Sequence, residues 1–111
     1  MNIKQCDIVI LPVPFSNQST TKVRPAIVIS NDESNNTNED VILVPITSVL
    51  RNVPHSIMIT EKNLSDGKLL VTSRIRADKP FVAHKSLIRI KVGSVKPEIL
   101  KAIKDEINKL I

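Results

Sequence analysis

A mainly β domain with one C-terminal α-helix is the fold class this sequence predicts. Two observations point there. Short β-branched runs recur along most of the chain, separated by Pro, Gly and polar stretches. Helical spacing of apolar residues occurs clearly only once, after Pro97. Several short strands and a terminal helix suggest a small, strongly bent barrel of mainly antiparallel strands. At 111 residues the chain is read as one domain, 1–111, with a single modest core.

Each element has its own justification. Ile8-Val9-Ile10-Leu11 is a continuous apolar run, the pattern of a strand buried on both faces, and Pro12 and Pro14 end it. Ser16 to Lys22 is loop by composition. Arg24 closes that loop, Pro25 sets the backbone, and Ala26 to Ile29 forms the second strand. Asn31 to Asp40 is wholly polar and reads as a mobile surface loop. Val41 to Ile46 is the third strand, giving way to loop at Thr47 and Ser48. Ser56 to Thr60 alternates around Ile57 and Ile59, and Leu64-Ser65-Asp66-Gly67 reads as a turn. Leu69–Ile75, Phe81-Val82 and Leu87–Ile90 supply two or three more strands. Gly93 marks the last turn before the helix. Pro97 suits the first helical position and Glu98 the positive end of the dipole. Ile99, Ile103, Ile107 and Leu110 then recur on one face, widened by Leu100 and Ile111.

Composition narrows the function. Aromatic residues are 2% of the chain, Phe15 and Phe81 alone, so the core is built from Ile, Val and Leu. A stacking platform of several aromatics for nucleic-acid bases is excluded. The net charge is +5 and unevenly spread. Residues 71–96 carry seven cations and one anion, whereas residues 1–50 carry three cations and five anions. Such a basic segment suits a polyanionic partner, although on charge alone a solvated lysine-rich face is the commoner explanation. Cys6 is the only cysteine, which excludes an intramolecular disulfide and a Cys-based zinc site. Asp7 and Pro12 interrupt the first apolar stretch, so no signal peptide or membrane span is expected. These features suggest a soluble, reduced, cytoplasmic protein with no membrane association.

Few residue groups could carry chemistry. With only Gly67 and Gly93, the chain has no Gly-rich phosphate loop. His55 and His84 lie far apart in sequence with no carboxylate at helical spacing from either, so neither a metal nor a cofactor is expected. A histidine pair could run acid–base cleavage of RNA, but surface or hydrogen-bonded structural roles are commoner. The stronger candidates are Arg24, Thr47, Ser48, Arg76 and Asp78. Arg24 and Thr47 sit at strand ends, where a side chain is held rigidly and still meets solvent. Arg offers a planar fork of donors that stays protonated, which suits a phosphate. Arg76 and Asp78 are two apart, hence neighbours on one face of a strand. Their simplest reading is a surface ion pair of little consequence. Their functional reading is a carboxylate beside a guanidinium that also reaches a phosphate.

An ordered set of short motifs resembles the MazF/PemK (Kid-like) toxins of toxin–antitoxin pairs. The matching text is Asp7-Ile8-Val9, Pro14-Phe15-Ser16, Arg24-Pro25-Ala26-Ile27-Val28-Ile29-Ser30-Asn31-Asp32 and Val44-Pro45-Ile46-Thr47-Ser48. It continues through Ser73-Arg74-Ile75-Arg76-Ala77-Asp78-Lys79-Pro80 and Lys85-Ser86-Leu87-Ile88. The resemblance implies an SH3-like barrel of the CcdB/PemK kind, usually a homodimer. It implies a sequence-selective, metal-independent endoribonuclease that cuts single-stranded mRNA through the substrate's own 2′-hydroxyl. The products would be a 2′,3′-cyclic phosphate and a 5′-hydroxyl end, and a cognate antitoxin would cover the RNA groove.

The resemblance implies two catalytic sets. One consists of Arg24 and Thr47, the other of Arg76 and Asp78 as acid and base. Both are present, so the sequence does not choose between them. RNA contacts are expected from Gln18, Ser19, Lys22, Ser48 and Lys79. Asp78 would serve as a base if burial raises its pKa, whereas an Arg suits electrostatic stabilisation better than proton donation. A Gly usually precedes the Asp-Ile strand in this family, and here that residue is Cys6. Two alternatives use related barrels differently: a CcdB-like toxin that poisons DNA gyrase, and a module that binds RNA or antitoxin without cutting.

Overall fold

The computed structural model describes residues 2–13, 22–69 and 71–111. Gln18 and Ser19 therefore lie outside the described residues. The eight strands are β1 (Asp7–Pro12), β2 (Val23–Val28), β3 (Asp40–Thr47), β4 (Ser56–Ile59), β5 (Leu64–Gly67), β6 (Ser73–Arg76), β7 (Phe81–His84) and β8 (Ile90–Val95). They form one sheet in the order β4-β6-β3-β2-β1-β8-β5, with β7 pairing β3, and every pairing is antiparallel. The sheet curls into a half-barrel. The helices are α1 (Asp32–Thr37) and α2 (Pro97–Asn108). Among the described residues no helix is long and apolar enough to cross a membrane.

The curl follows from apolar residues on both sides of the central strands. Val9, Leu11, Ala26, Val28 and Leu43 join Phe81, Ala83 and Ile88 in one cluster. Their neighbours of opposite parity, Ile8, Ile27, Val44 and Ile46, join Ile75, Ile99 and Ile103 in a second. Each strand thus contributes to two cores, and α2 seals the second with Ile99 and Ile103. Full burial of such side chains is worth roughly 1.5–3 kcal/mol each. The helix stripe is only partly used: Ile107 is half-buried, and Leu110 and Ile111 are exposed.

The break between β6 and β7 shapes the sheet beside the site. β3 pairs β6 at Ile46↔Ile75 and Thr47↔Arg74, and pairs β7 at Leu43↔Phe81 and beyond. Pro45 lies between these stretches and has no N–H for a ladder. Opposite it the chain leaves the sheet in a turn, closed by Lys79 N–H donating to Arg76 O at 3.1 Å.

Several elements differ from the sequence reading. Arg24 and Pro25 belong to β2 and do not precede it. Asn31–Asp40 contains α1, because Asn31 caps it by accepting from Ser34 N–H at 2.8 Å and Asp32 and Glu33 occupy its first turn. Buried Asn35 fastens it by donating to Ser30 O at 2.8 Å. Leu64–Gly67 is a strand, β5, and Leu87 ends a 3-10 turn (Lys85–Leu87). Gly93 lies inside β8, where a Cβ would fall 2.6 Å from Asp66 O. The close passage of β5 and β8 therefore sets that glycine's identity, not a turn. Cys6 has φ of 78°, the left-handed region that glycine tolerates best. A glycine would hold that geometry without strain.

Candidate functional site

The strand registers bring most of the candidate residues to one face of the sheet. Thr47 lies opposite Arg74, and Arg74 lies opposite Met58 on β4. On its other side β3 pairs β2 at Ala26↔Pro45, and Arg24 and Thr47, each two residues from a member of that pair, face the same side of the sheet. Directly opposed residues of antiparallel strands share a face. Thr47, Arg74 and Met58 therefore form one row across β3, β6 and β4, and Arg24 of β2 lies on the same face. Arg76 and Ser56, opposite one another, start the next row on the same face. Neighbouring strands lie roughly 4.8 Å apart, so one nucleotide could touch several of these side chains.

Each side chain is held differently. Arg24 is exposed and, among the described residues, has no ion-pair partner. Thr47 Oγ1 accepts from Val49 N–H at 3.2 Å. That contact uses the oxygen as acceptor and leaves the hydroxyl proton to donate outward. Arg76 and Asp78 form a bidentate pair, Nε to Oδ1 at 2.9 Å and NH2 to Oδ2 at 2.8 Å. Asp78 occupies the turn after β6, so the pair bridges strand and turn and not two positions of a strand. Each partner's side chain is 23% exposed.

The electrostatics of this pair correct one expectation. The hydrogen bonds from Arg76 lower the Asp78 carboxyl below its ordinary value; burial pushes the other way and loses. Asp78 is thus a weak base that stays ionised, and its geometry suits fixing the plane of Arg76. The same hydrogen bonding raises Arg76 further, so it holds its charge more firmly still. Arg76 is correspondingly a poor proton donor.

Other candidates fall outside this face or serve the fold. Lys22 and Ser48 are exposed on the segments flanking the row, and Lys79 is half-buried in the turn after Asp78. His84 Nδ1 accepts from Ser86 N–H at 3.1 Å, which leaves the ring proton on Nε2, 3.1 Å from Glu39 Oε2. His55, at φ of 62°, has a buried Nδ1 that lies 3.3 Å from Glu106 Oε1 of α2, off hydrogen-bonding geometry. The two histidines sit at different places and make no acid–base pair. Burial raises the Cys6 thiol, helped by the Asp7 carboxylate, so Cys6 stays protonated and fits a structural role. Asp7 itself is 2% exposed and accepts from Lys4 N–H, Ser94 Oγ and Lys91 Nζ at 2.8–3.1 Å. Among the described residues no three His, Cys, Asp or Glu side chains group to hold a metal. Arg74 is the one charged residue of the row that the candidate set lacked. Its signal was its distance of two from Arg76, the same period that paired Arg76 with Asp78.

Comparison with known proteins agrees with this architecture. No curated protein sequence matches the chain significantly. Among solved structures, MazF from Deinococcus radiodurans shares 18% identity and superposes with a TM-score of 0.79, covering 99% of this chain and 96% of its own. An endoribonuclease in complex with its cognate antitoxin, from Mycobacterial species, shares 19% identity, with a TM-score of 0.75 and coverage of 96% and 92%. The Mycobacterium tuberculosis toxin MazF-mt6 shares 16% identity, with a TM-score of 0.74 and 93% coverage of each chain. At such identities the likeness is one of fold. A family model described as the PemK-like, MazF-like toxin of type II toxin-antitoxin systems matches residues 4–111. With nearly the whole chain matched to that family and its fold shared with MazF structures, the protein belongs to the PemK/MazF-like toxins of type II toxin–antitoxin systems.

Proposed function

We propose that this toxin is a cytoplasmic endoribonuclease that cuts single-stranded RNA sequence-selectively and without a metal ion. The observation that carries the reading is the face shared by Arg24, Thr47 and Arg76, with Asp78 bonded to Arg76 through both oxygens. It places several donors toward one solvent-facing surface, with only one carboxylate paired beside them. Such a surface suits a phosphodiester.

The chemistry is an in-line attack by the RNA 2′-hydroxyl on the adjacent phosphorus. The bond from phosphorus to the 5′-oxygen breaks, leaving a 2′,3′-cyclic phosphate and a 5′-hydroxyl end. The 2′-hydroxyl proton passes to solvent water, and the leaving 5′-oxygen takes one from solvent water. Negative charge grows on the non-bridging oxygens in between, where fixed donors act most strongly. Arg24 and Arg76 supply two guanidinium forks, and Thr47 supplies a hydroxyl proton. Asp78 orients Arg76 and takes no proton in this scheme. Arg24/Thr47 and Arg76/Asp78 then act on one phosphate from adjacent strands. Lys22, Ser48 and Lys79 border the same face and contact flanking nucleotides, with Gln18 and Ser19 completing the RNA contacts. A homodimer and a cognate antitoxin complete the proposal. Support for the antitoxin comes from the MazE–MazF complexes of Deinococcus radiodurans, which share this fold.

The test is cleavage of a long single-stranded RNA in excess EDTA, with Arg24→Ala as control. Fragments with 5′-hydroxyl ends, lost in a folded Arg24→Ala variant, are expected. Unchanged cleavage by that variant would overturn the site assignment. Intact RNA from the folded wild-type protein would overturn the activity.

A further inference from the structure

Arg74 differs from Arg76 in how its charge is compensated. Arg76 is neutralised by Asp78, whereas Arg74 has no ion-pair partner among the described residues. Its guanidinium donates instead to two neutral groups, through Nε to Leu50 O at 3.1 Å and through NH1 to Ser56 Oγ at 3.2 Å. Ser56 Oγ in turn donates to Val53 O. A guanidinium has five N–H donors, so three remain. The two contacts fix the guanidinium against Leu50 of the 48–55 segment and Ser56 at the start of β4 without cancelling its charge. An arginine used only to fasten a loop could do so equally well through an ion pair, and among the described residues Arg74 makes none.

Its position adds a second constraint. Arg74 and Arg76 are two residues apart on β6 and face the same way, which separates them by roughly 6.7 Å at strand rise. That matches the separation of adjacent phosphates in an extended nucleotide chain. Met58, opposite Arg74 on β4, is 48% exposed and gives the same spot an apolar floor. We propose that Arg74 binds the phosphate next to the one that is cut, held in place by Leu50 O and Ser56 Oγ. This assignment rests on the ribonuclease reading above and extends its groove from β6 toward the β4 edge.

Salt dependence separates phosphate binding from loop fastening. Each phosphate contact on a single strand adds about 0.7 to the slope of log affinity against log salt. The probe is a mixed-sequence single-stranded oligodeoxynucleotide, which keeps the phosphates and lacks the attacking 2′-hydroxyl. Arg74→Gln, which retains amide donors for the loop, is expected to flatten the slope by about 0.7 and to weaken low-salt binding about tenfold. Arg74→Lys keeps the charge and is expected to keep the slope. On RNA, Arg74→Gln should raise KM with little change in kcat, the mark of binding shared by substrate and transition state. If Arg74→Gln does not fold, Arg74→Thr suits a strand and makes the same test. A charge-removing variant that is folded but keeps the wild-type slope overturns the assignment, even while the wild-type protein cuts RNA. Wild-type protein that neither binds the probe nor cuts RNA overturns the ribonuclease reading as well.

Discussion

Replacing Asp78 by Asn distinguishes an orienting carboxylate from a catalytic base. In the wild-type protein both oxygens accept from Arg76, at 2.9 and 2.8 Å. An amide has a single acceptor oxygen and turns an NH2 toward the guanidinium, so the fork can no longer be matched. The cost to the fold is small. Solvent reaches both partners, each 23% exposed, and ion pairs that water can screen are worth about 1 kcal/mol or less. The melting temperature should therefore fall by no more than about 4–8 °C. The cost to the reaction is larger, because a preorganised donor is worth ~3 kcal/mol of barrier when lost outright. Asn leaves Arg76 present but free to swing, so a fall in kcat of about tenfold to a hundredfold is expected.

The pH profile decides the role. Arg76 lowers the Asp78 carboxyl, so it is ionised across the range in which RNA cleavage is assayed. No acid limb near neutrality should then belong to it. The sign for stability follows from the same shift. A carboxyl with a depressed folded-state pKa contributes stability that is complete above its unfolded value of about 3.9 and is lost as pH falls through the lowered value. Wild-type and Asp78→Asn proteins should therefore differ in stability at pH 7 and converge in strong acid. The assay is kcat between pH 5 and 9 in EDTA (about neutral at its centre), with melting curves alongside. An acid limb in the wild type that disappears in Asp78→Asn would make the carboxylate the base and refute the orienting role. A kcat unchanged by the substitution would refute any part for Asp78 in positioning Arg76.

Two further substitutions test the backbone around the barrel. Cys6→Gly should match or exceed the wild-type stability because φ of 78° is no strain for glycine, whereas Cys6→Val should lose about 2 kcal/mol; equal melting temperatures for the two variants would refute the conformational argument. Gly93→Ala should cost about 1–3 kcal/mol, since its Cβ would lie 2.6 Å from Asp66 O and 3.2 Å from Gly67 Cα; an unchanged denaturation midpoint would show that β5 can move aside freely.

What the sequence revealed about the fold depended on how local each signal was. The run from Ile8 to Leu11 and the helix after Pro97 are local patterns, and both elements formed where those patterns lie. The α1 helix was hidden by its polarity. Its support comes from Asn31, which caps it, and from Asn35, the buried residue of the helix, which bonds to Ser30, and neither has an apolar period. Glycine misled in β5 and β8 for a different reason. Gly67 carries positive φ inside a strand pair, and Gly93 is small because the neighbouring backbone passes close by. Turn chemistry and close strand approach both select glycine, so the residue type cannot separate them.

The candidate site shows the same division. Arg24 and Thr47 are legible as polar residues at strand ends, and Arg76 and Asp78 as neighbours two apart, but the spatial relation of the two pairs depends on registers set by tertiary pairing. Two alternative catalytic sets looked like rivals only because the chain separates them. β3 pairs β2 through Ala26↔Pro45 and β6 through Thr47↔Arg74, so a single strand links the two sets. Pro45 sits at the hinge of this arrangement. Without an N–H it cannot complete a ladder, and the chain opposite turns away at Ala77–Pro80. That turn is what brings the Asp78 carboxylate back onto Arg76. Pro45 thus has a role in building the Arg76–Asp78 pair. On the proposed ribonuclease reading the two sets are parts of one phosphate-binding face, with Thr47 at its centre.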